Sequence, residues 1–328
     1  MRNKILSVSM IVFCIFFATI VPTTTRATQI EEDPLVPGWS EDIRISNASG
    51  DSIHPSIAVD SKGCIHVVWQ DSRTGDWKIY YARSRDKGEH WEEKVVADLQ
   101  GSDNTPSIIV DQNNVIHMVW SGATLEEPYT EVYYKNSTDE GNTWSKDVRL
   151  TYAPDDSHVP KIVAYGNTLH VVWSDKRSGD FEIYYKRSDG GNNWTADVRL
   201  TNAVGMSQVP TVSVASPSQV VVTWTDQRDG NREIYYKKSV DSGETWTNDT
   251  RLTYTKNESR ESSVVIDSYN NIHIVWYEGE FGRYKIYYRK WVMANEPREN
   301  ATEIVSSRCA CMPFLQIDSN DNLHLLWS

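Results

Sequence analysis

Cysteine is scarce in this 328-residue chain, with four residues at Cys14, Cys64, Cys309 and Cys311. Cys14 lies in an N-terminal apolar run, and the remaining three are an odd count, which is no disulfide framework. Cys309 and Cys311 stand too close in sequence to bridge without strain. Positive charge is also short: 33 Lys and Arg face 45 Asp and Glu, and because residues 1–27 hold three bases and no acid, the remainder carries −15. A surface that acidic argues against a nucleic-acid partner. Long apolar runs are limited to Ile5 to Val21, so a polytopic helical membrane protein is not expected. That run follows Arg2 and Lys4 and precedes the small and polar residues Thr23 to Ala27, which reads as a secretory signal over 1–27 or an uncleaved N-terminal anchor. On either reading the rest is secreted or held at the cell surface, with 28–40 a linker and no membrane contact beyond the anchor.

Phenylalanine is rare as well, six residues against thirteen Trp and seventeen Tyr, and the spacing of those aromatics sets the architecture. A Trp ends a short apolar run at Trp69, Trp120, Trp173, Trp224, Trp276 and Trp327, at spacings of 51, 53, 51, 52 and 51. Tyr pairs follow five of them, beginning with Tyr80-Tyr81, and a further series at Trp91, Trp144, Trp194 and Trp246 closes four units. Within a unit four short β-branched and aromatic runs are separated by Asp/Asn/Gly turns, as in Pro106 to Val110, Val115 to Trp120, Glu131 to Tyr134 and Val148 to Thr151. Four strands in about fifty residues make a propeller blade. The expectation is an all-β propeller over 41–328: five complete blades (55–99, 106–151, 160–201, 210–253, 262–307) and a sixth beginning at Pro313. The segment Glu41 to Ser46 matches the last strand of a unit, which suggests ring closure by an N-terminal strand and at least six blades in the full protein.

Between the third and fourth strands stand Ser84-Arg85-Asp86-Lys87-Gly88-Glu89-His90-Trp91, Ser137 to Trp144, Ser239 to Trp246 and a variant, Arg187 to Trp194. The pattern S-x-D-x-G-x-T-W resembles the Asp-box, or BNR, repeat of the sialidase superfamily, and the resemblance covers about residues 40–328. Asp86, Asp139, Asp189 and Asp241 are expected to accept from nearby backbone N–H groups, with Trp91, Trp144, Trp194 and Trp246 packed beneath. One dependable carboxylate per copy is too few for calcium. In that superfamily the boxes lie opposite the active site, so they speak to fold and not to chemistry. A sialidase would further imply an arginine triad for the sugar carboxylate, a Tyr nucleophile paired with a Glu, and an Asp acid/base. The nearest match to the family's first arginine motif, Arg44-Ile45-Ser46, lacks its Pro and recurs at Arg149, Arg199 and Arg251.

On the opposite face the loop after the second strand repeats Trp-x-Asp-x-Arg, giving Asp71/Arg73, Asp175/Arg177 and Asp226/Arg228. These pairs either ring a central mouth and grip an anionic or polyhydroxyl ligand, or tie their own loops in place. The repeat breaks in unit two, whose longer loop carries Glu126, Glu127 and Glu131, and in unit five, where Glu278 and Glu280 replace the Asp/Arg pair. Paired carboxylates serve glycoside hydrolysis. A polar collar precedes the inner strands at Ser52 to His54, Asp103-Asn104, Ser157-His158, Ser207-Gln208 and Ser259-Arg260, with His158 a candidate acid/base. His66, His117, His170, His273 and His324 recur before the second-strand Trp of five units and read as blade packing, so neither a metal nor another cofactor is expected. Three functions stay open: a non-catalytic surface module binding an extracellular glycan or protein, a sialidase-like exo-glycosidase with part of its site beyond residue 328, and a structural repeat module.

Overall fold

The computed structural model describes residues 42–127, 129–280, 283–297, 300–306 and 310–327; the signal or anchor, the linker and Cys309 lie outside them. Every described element is a strand. Blade one is β1 (Ser52–Val59), β2 (Ile65–Asp71), β3 (Lys78–Ser84) and β4 (Glu92–Ala97). Blade two is β5 (Gln100–Val110), β6 (Ile116–Thr124), β7 (Glu131–Ser137) and β8 (Val148–Arg149). Blade three is β9 (Ser157–Tyr165), β10 (Thr168–Ser178) and β11 (Asp180–Asp189), edged by the short strands β12 (Asn193–Trp194) and β13 (Val198–Arg199). Blade four is β14 (Ser207–Val214), β15 (Val220–Asp226), β16 (Glu233–Ser239) and β17 (Thr250–Arg251). Blade five is β18 (Glu258–Ile266), β19 (Asn271–Glu280), β20 (Arg283–Val292) and β21 (Thr302–Ser306), and β22 (Phe314–Ile317) pairs with β23 (Leu323–Leu326) in a further two-stranded sheet. Pairing within each sheet is antiparallel and sequential, and the first strands of successive blades are neighbours, which places them innermost.

The core lies between blades. Val68, Ile79 and Tyr81 of blade one pack on Ile116, Met118 and Trp120 of blade two, and the same pattern recurs at each later junction. Trp69, Trp120, Trp173, Trp224 and Trp276 are all buried, each stacked on the first Tyr of the opposite strand at 5.6–6.1 Å between ring centroids. The box loops add a second stitch. Gly141 and Gly243 take positive φ and lie so close to the Tyr81 and Tyr185 hydroxyls of the preceding blade that a Cβ would meet them at 2.1 and 2.2 Å. Asp139 and Asp241 accept from the backbone and hydroxyls of Thr143 and Thr245, and Trp144 and Trp246 set their edges against Tyr81 and Tyr185.

Two expectations shift. Residues 42–46 form no strand, yet Arg44 Nε donates to the Ser46 carbonyl at 2.7 Å as Arg149 does to Thr151, and Ile45 packs on Trp69 of blade one as Leu150 packs on Trp173 of blade three. The segment therefore holds a fourth-strand position without a described strand partner. In blades one to four the inner strands also begin three to six residues before Pro55, Pro106, Pro160 and Pro210, and in blade five four residues before Ser262, where the sequence sets their start. Each runs through a bulge whose central residue has positive φ: His54, Thr105, Val159, Val209 and Glu261, at 44–54°. Such angles strain β-branched residues, and here the neighbouring blade holds them. The N–H groups of Thr105, Val159, Val209 and Glu261 donate to Gln70, Ser121, Ser174 and Thr225, each the residue after the preceding blade's Trp.

Candidate functional site

The Asp/Arg pairs are joined within blades, not with one another. Asp175 is buried and accepts from the Trp173 indole at 2.8 Å, the Ser157 hydroxyl at 2.9 Å, the Arg177 N–H at 3.0 Å and two guanidinium N–H groups at 2.8 and 2.6 Å. Asp71 and Asp226 repeat this arrangement with Trp69, Ser52 and Arg73, and with Trp224, Ser207 and Arg228. Arg73, Arg177 and Arg228 stack over Tyr80, Tyr184 and Tyr235 at 4.0, 4.6 and 4.5 Å. A second carboxylate meets each, Glu93, Asp197 or Asp249. Burial alone would raise these Asp carboxyls, but the guanidinium and indole donors outweigh it, lowering Asp175 and Asp226 and bringing Asp71 to about 2. Three buried, saturated carboxylates have no valence left for a ligand; only the arginine edges reach solvent. Arg177 does line an open groove of about 450 Å³ with Arg149, Tyr152 and Lys186.

Blades two and five do this differently. In blade two Gly122 holds the Asp position, and the carboxylate comes from Asp103 directly across the β5–β6 ladder, accepting from the Trp120 indole at 2.7 Å and the Leu99 N–H at 2.9 Å. In blade five Glu278 accepts from the Trp276 indole at 2.8 Å. Among the described residues neither is paired with an arginine. Burial therefore dominates, raising Glu278 and bringing Asp103 to about 6. Glu131 is not part of a solvated loop: it is buried and tied to Arg149, Thr151 and the Ala153 N–H. Glu126 and Glu127 are exposed, and Glu127 pairs with Arg149 at 2.5 Å. His158 sets its edge on Phe181 at 4.5 Å, and burial lowers its pKa, leaving it neutral at neutral pH.

A constellation that the sequence reading touched only at Arg260 stands where β18 opens next to blade four. Arg260 and Arg232 both pair with Glu258, Arg232 at 3.2 Å, and Arg260 Nε is buried without a hydrogen-bond partner. One residue on, Glu261 occupies the bulge and accepts from the buried Tyr277 hydroxyl at 3.3 Å. Tyr277 sets its ring edgewise on Tyr284 at 5.0 Å. An open groove of about 390 Å³ runs alongside, lined by Lys256, Asn257, Glu258, Arg260, Glu280 and Tyr284 among others. Burial raises Glu261, opposed by Tyr277, Arg260, His54 and Lys161. Glu261 is thus within electrostatic reach of His54 and Lys161, which come from the inner strands of blades one and three. Burial lowers Lys161, which makes no ion pair among the described residues. The signal in the sequence was positional: the residue after the repeat Trp is Gln70, Ser121, Ser174 and Thr225, and only in blade five is it a Tyr.

Among solved structures the chain is similar to an α-L-arabinofuranosidase from Fusarium graminearum in complex with an iminosugar inhibitor, at 15% identity and TM-score 0.63 over 82% of this chain and 85% of that one. The NanB sialidase from Streptococcus pneumoniae aligns at 10% identity and TM-score 0.62 over 89% and 68%. The fold is that of a sialidase-type β-propeller. A protein of unknown function from Dyadobacter fermentans shares it at 16% identity and TM-score 0.64 over 82% and 88%. No protein-family profile and no curated protein matches the chain.

Proposed function

We propose that this propeller is an exported glycan-binding module whose ligand lies in the groove beside β18 and carries a negative charge. The observation that carries this reading is the convergence of Arg232 and Arg260 on one carboxylate, with Arg260 Nε buried and unpartnered, in a protein of net charge −12. Glu258 neutralises one of the two guanidinium groups and leaves the other for an incoming anion. Tyr277 and Tyr284 offer ring surface of the kind that sugars stack on. The arabinofuranosidase and sialidase that share the fold act on glycans, which agrees with the reading. Export rests on the N-terminal apolar run.

The test is binding of the full chain to sialylated, uronate-containing and neutral oligosaccharides, with Arg260→Ala alongside. Preference for the acidic glycans and at least tenfold weaker binding by Arg260→Ala are expected; equal binding of neutral and acidic sugars, or none at all, overturns the reading. A second reading, an exo-glycosidase of sialidase type, is favoured by the Tyr277–Glu261 pair, since a buried carboxylate is the group that takes a proton from a phenol acting as nucleophile. Hydrolysis of a fluorogenic sialoside that disappears in Tyr277→Phe supports it, and a folded full-length protein without turnover removes it.

A further inference from the structure

Asp60, Cys64 and His66 meet in the β1–β2 turn and the start of β2, at 6%, 5% and 0% exposure. One donor atom from each lies within 4.8 Å of the other two. The turn uses Asp60 Oδ1, which accepts from the N–H groups of Lys62 at 2.9 Å and Cys64 at 2.8 Å. Asp60 Oδ2 is buried and accepts nothing, and His66 Nε2, 3.6 Å away, is likewise without a hydrogen-bond partner. His66 Nδ1 lies 2.7 Å from the Tyr81 hydroxyl, which also reaches the Glu140 carbonyl at 3.3 Å. With the Tyr81 proton on that carbonyl, Nδ1 carries the imidazole proton and Nε2 turns a lone pair toward the carboxylate and the thiol, the form that takes a cation.

We propose that Asp60, Cys64 and His66 form a binding site for a zinc-like divalent ion. Nitrogen, sulfur and oxygen donors together suit zinc among the common divalent metals. On binding, the thiol proton leaves to solvent, and thiolate plus carboxylate neutralise the ion, so the buried complex carries no net charge. Donors at ~2.0–2.3 Å from a tetrahedral ion stand about 3.3–3.8 Å apart, so the separations, all within 4.8 Å, close by about 1 Å at most on binding. Tyr81 fixes the imidazole from the far side, as outer-shell partners of metal-bound histidines do. The fourth position is left for water.

The other blades act as internal controls. Blade two has Asp111 and His117 Nε2 3.4 Å apart, but Val115 stands where blade one has its cysteine. In blade five that position is Asn271, whose amide fills Asp267 Oδ2 at 2.6 Å while His273 reaches the same oxygen at 3.0 Å. Blade three has no acid in this turn. Among the described residues only blade one assembles the full set.

Cys64→Val gives blade one the residue blade two already folds with, and it makes the decisive variant. The full-length protein, stripped with chelator, is titrated with cobalt(II) while thiolate-to-cobalt absorption is followed, and then with zinc by calorimetry. The expected result is one ion per chain with a thiolate band, retained in Cys311→Ser and lost in Cys64→Val, and a zinc-dependent rise in melting temperature of several degrees in the wild type alone. Absence of the band, or equal zinc binding by wild type and Cys64→Val, overturns the proposal.

Discussion

Blades one, three and four bury a carboxylate beneath an arginine; blades two and five bury one without it. All five place the acid at the same point, under the indole N–H of the repeat Trp. In the first set Asp, Arg and Tyr form a closed unit that fastens the loop to its own blade. In the second the acid is held by neutral donors and drifts toward its protonated form. The arginine, not the acid, therefore separates a loop lock from a titrating group. Copies that look most like a binding motif in sequence are the ones whose polar valences are spent, and the irregular blades hold the adaptable chemistry.

The sharpest way to break this contrast is to remove the arginine. Arg177→Ala leaves Asp175 buried and uncompensated, and it is expected to cost about 3–5 kcal/mol in denaturant unfolding, while Glu278→Gln in blade five changes stability by less than about 1 kcal/mol. Similar costs at the two sites would erase the distinction. Any loss of ligand binding in Arg177→Ala has to be read against that destabilisation.

The two sets should also respond oppositely to pH. Asp103 holds its proton up to about pH 6 in the fold and to 3.8 otherwise, so between those values the folded state binds more protons than the unfolded one. Its contribution is full below about pH 4 and is lost as pH rises to 6, on the order of 3 kcal/mol. Asp71 has the reverse sign: held at about 2, it contributes above pH 3.8 and loses that contribution as pH falls. Unfolding curves of wild type and Asp103→Asn should differ in slope between pH 4 and 6 and run parallel above; parallel curves throughout would show that Asp103 is not displaced.

A smaller effect tests the strand exchange in blade two. A Cβ at Gly122 would meet Leu99 Cδ1 at 2.4 Å and Asp103 Oδ1 at 2.7 Å, so Gly122→Ala should cost about 2 kcal/mol. Combining Gly122→Asp with Asp103→Ser rebuilds the Ser52–Asp71 pair of blade one without its arginine and should recover part of the stability lost by either change alone, as a double-mutant cycle would measure.

The architecture was legible because each blade repeats one aromatic grammar: Trp69 and its successors at near-constant spacing, the Tyr pairs, and the box glycines against the preceding blade's tyrosine. The Asp/Arg loops were legible as repeats, and their saturation was not, because Ser157 and Tyr184 approach Asp175 and Arg177 only through cross-strand pairing. The exchange of Asp103 for an acid at Gly122 hides for the same reason, since ladder partners lie 19 residues apart. Tyr277 and Glu261 were invisible for another: they meet only because a bulge in β18 turns Glu261 toward β19. Cys64 looked like a stray thiol until the turn brought Asp60 and His66 beside it.

The least disruptive change bears on the loop of blade two. Arg149 holds two carboxylates, Glu131 at 1% side-chain exposure and Glu127 at 51%. The buried partner also accepts from Thr151 and the Ala153 N–H, so Glu131→Gln disturbs a network, whereas Glu127→Gln removes one screened contact and should shift stability by about 0.5 kcal/mol or less. Guanidinium melts of the two variants measure this directly. Because Glu126→Gln with Glu127→Gln leaves the fold intact on this argument, weaker glycan binding in that double variant would mean that the loop touches ligand, and unchanged binding would confine recognition to the groove beside β18.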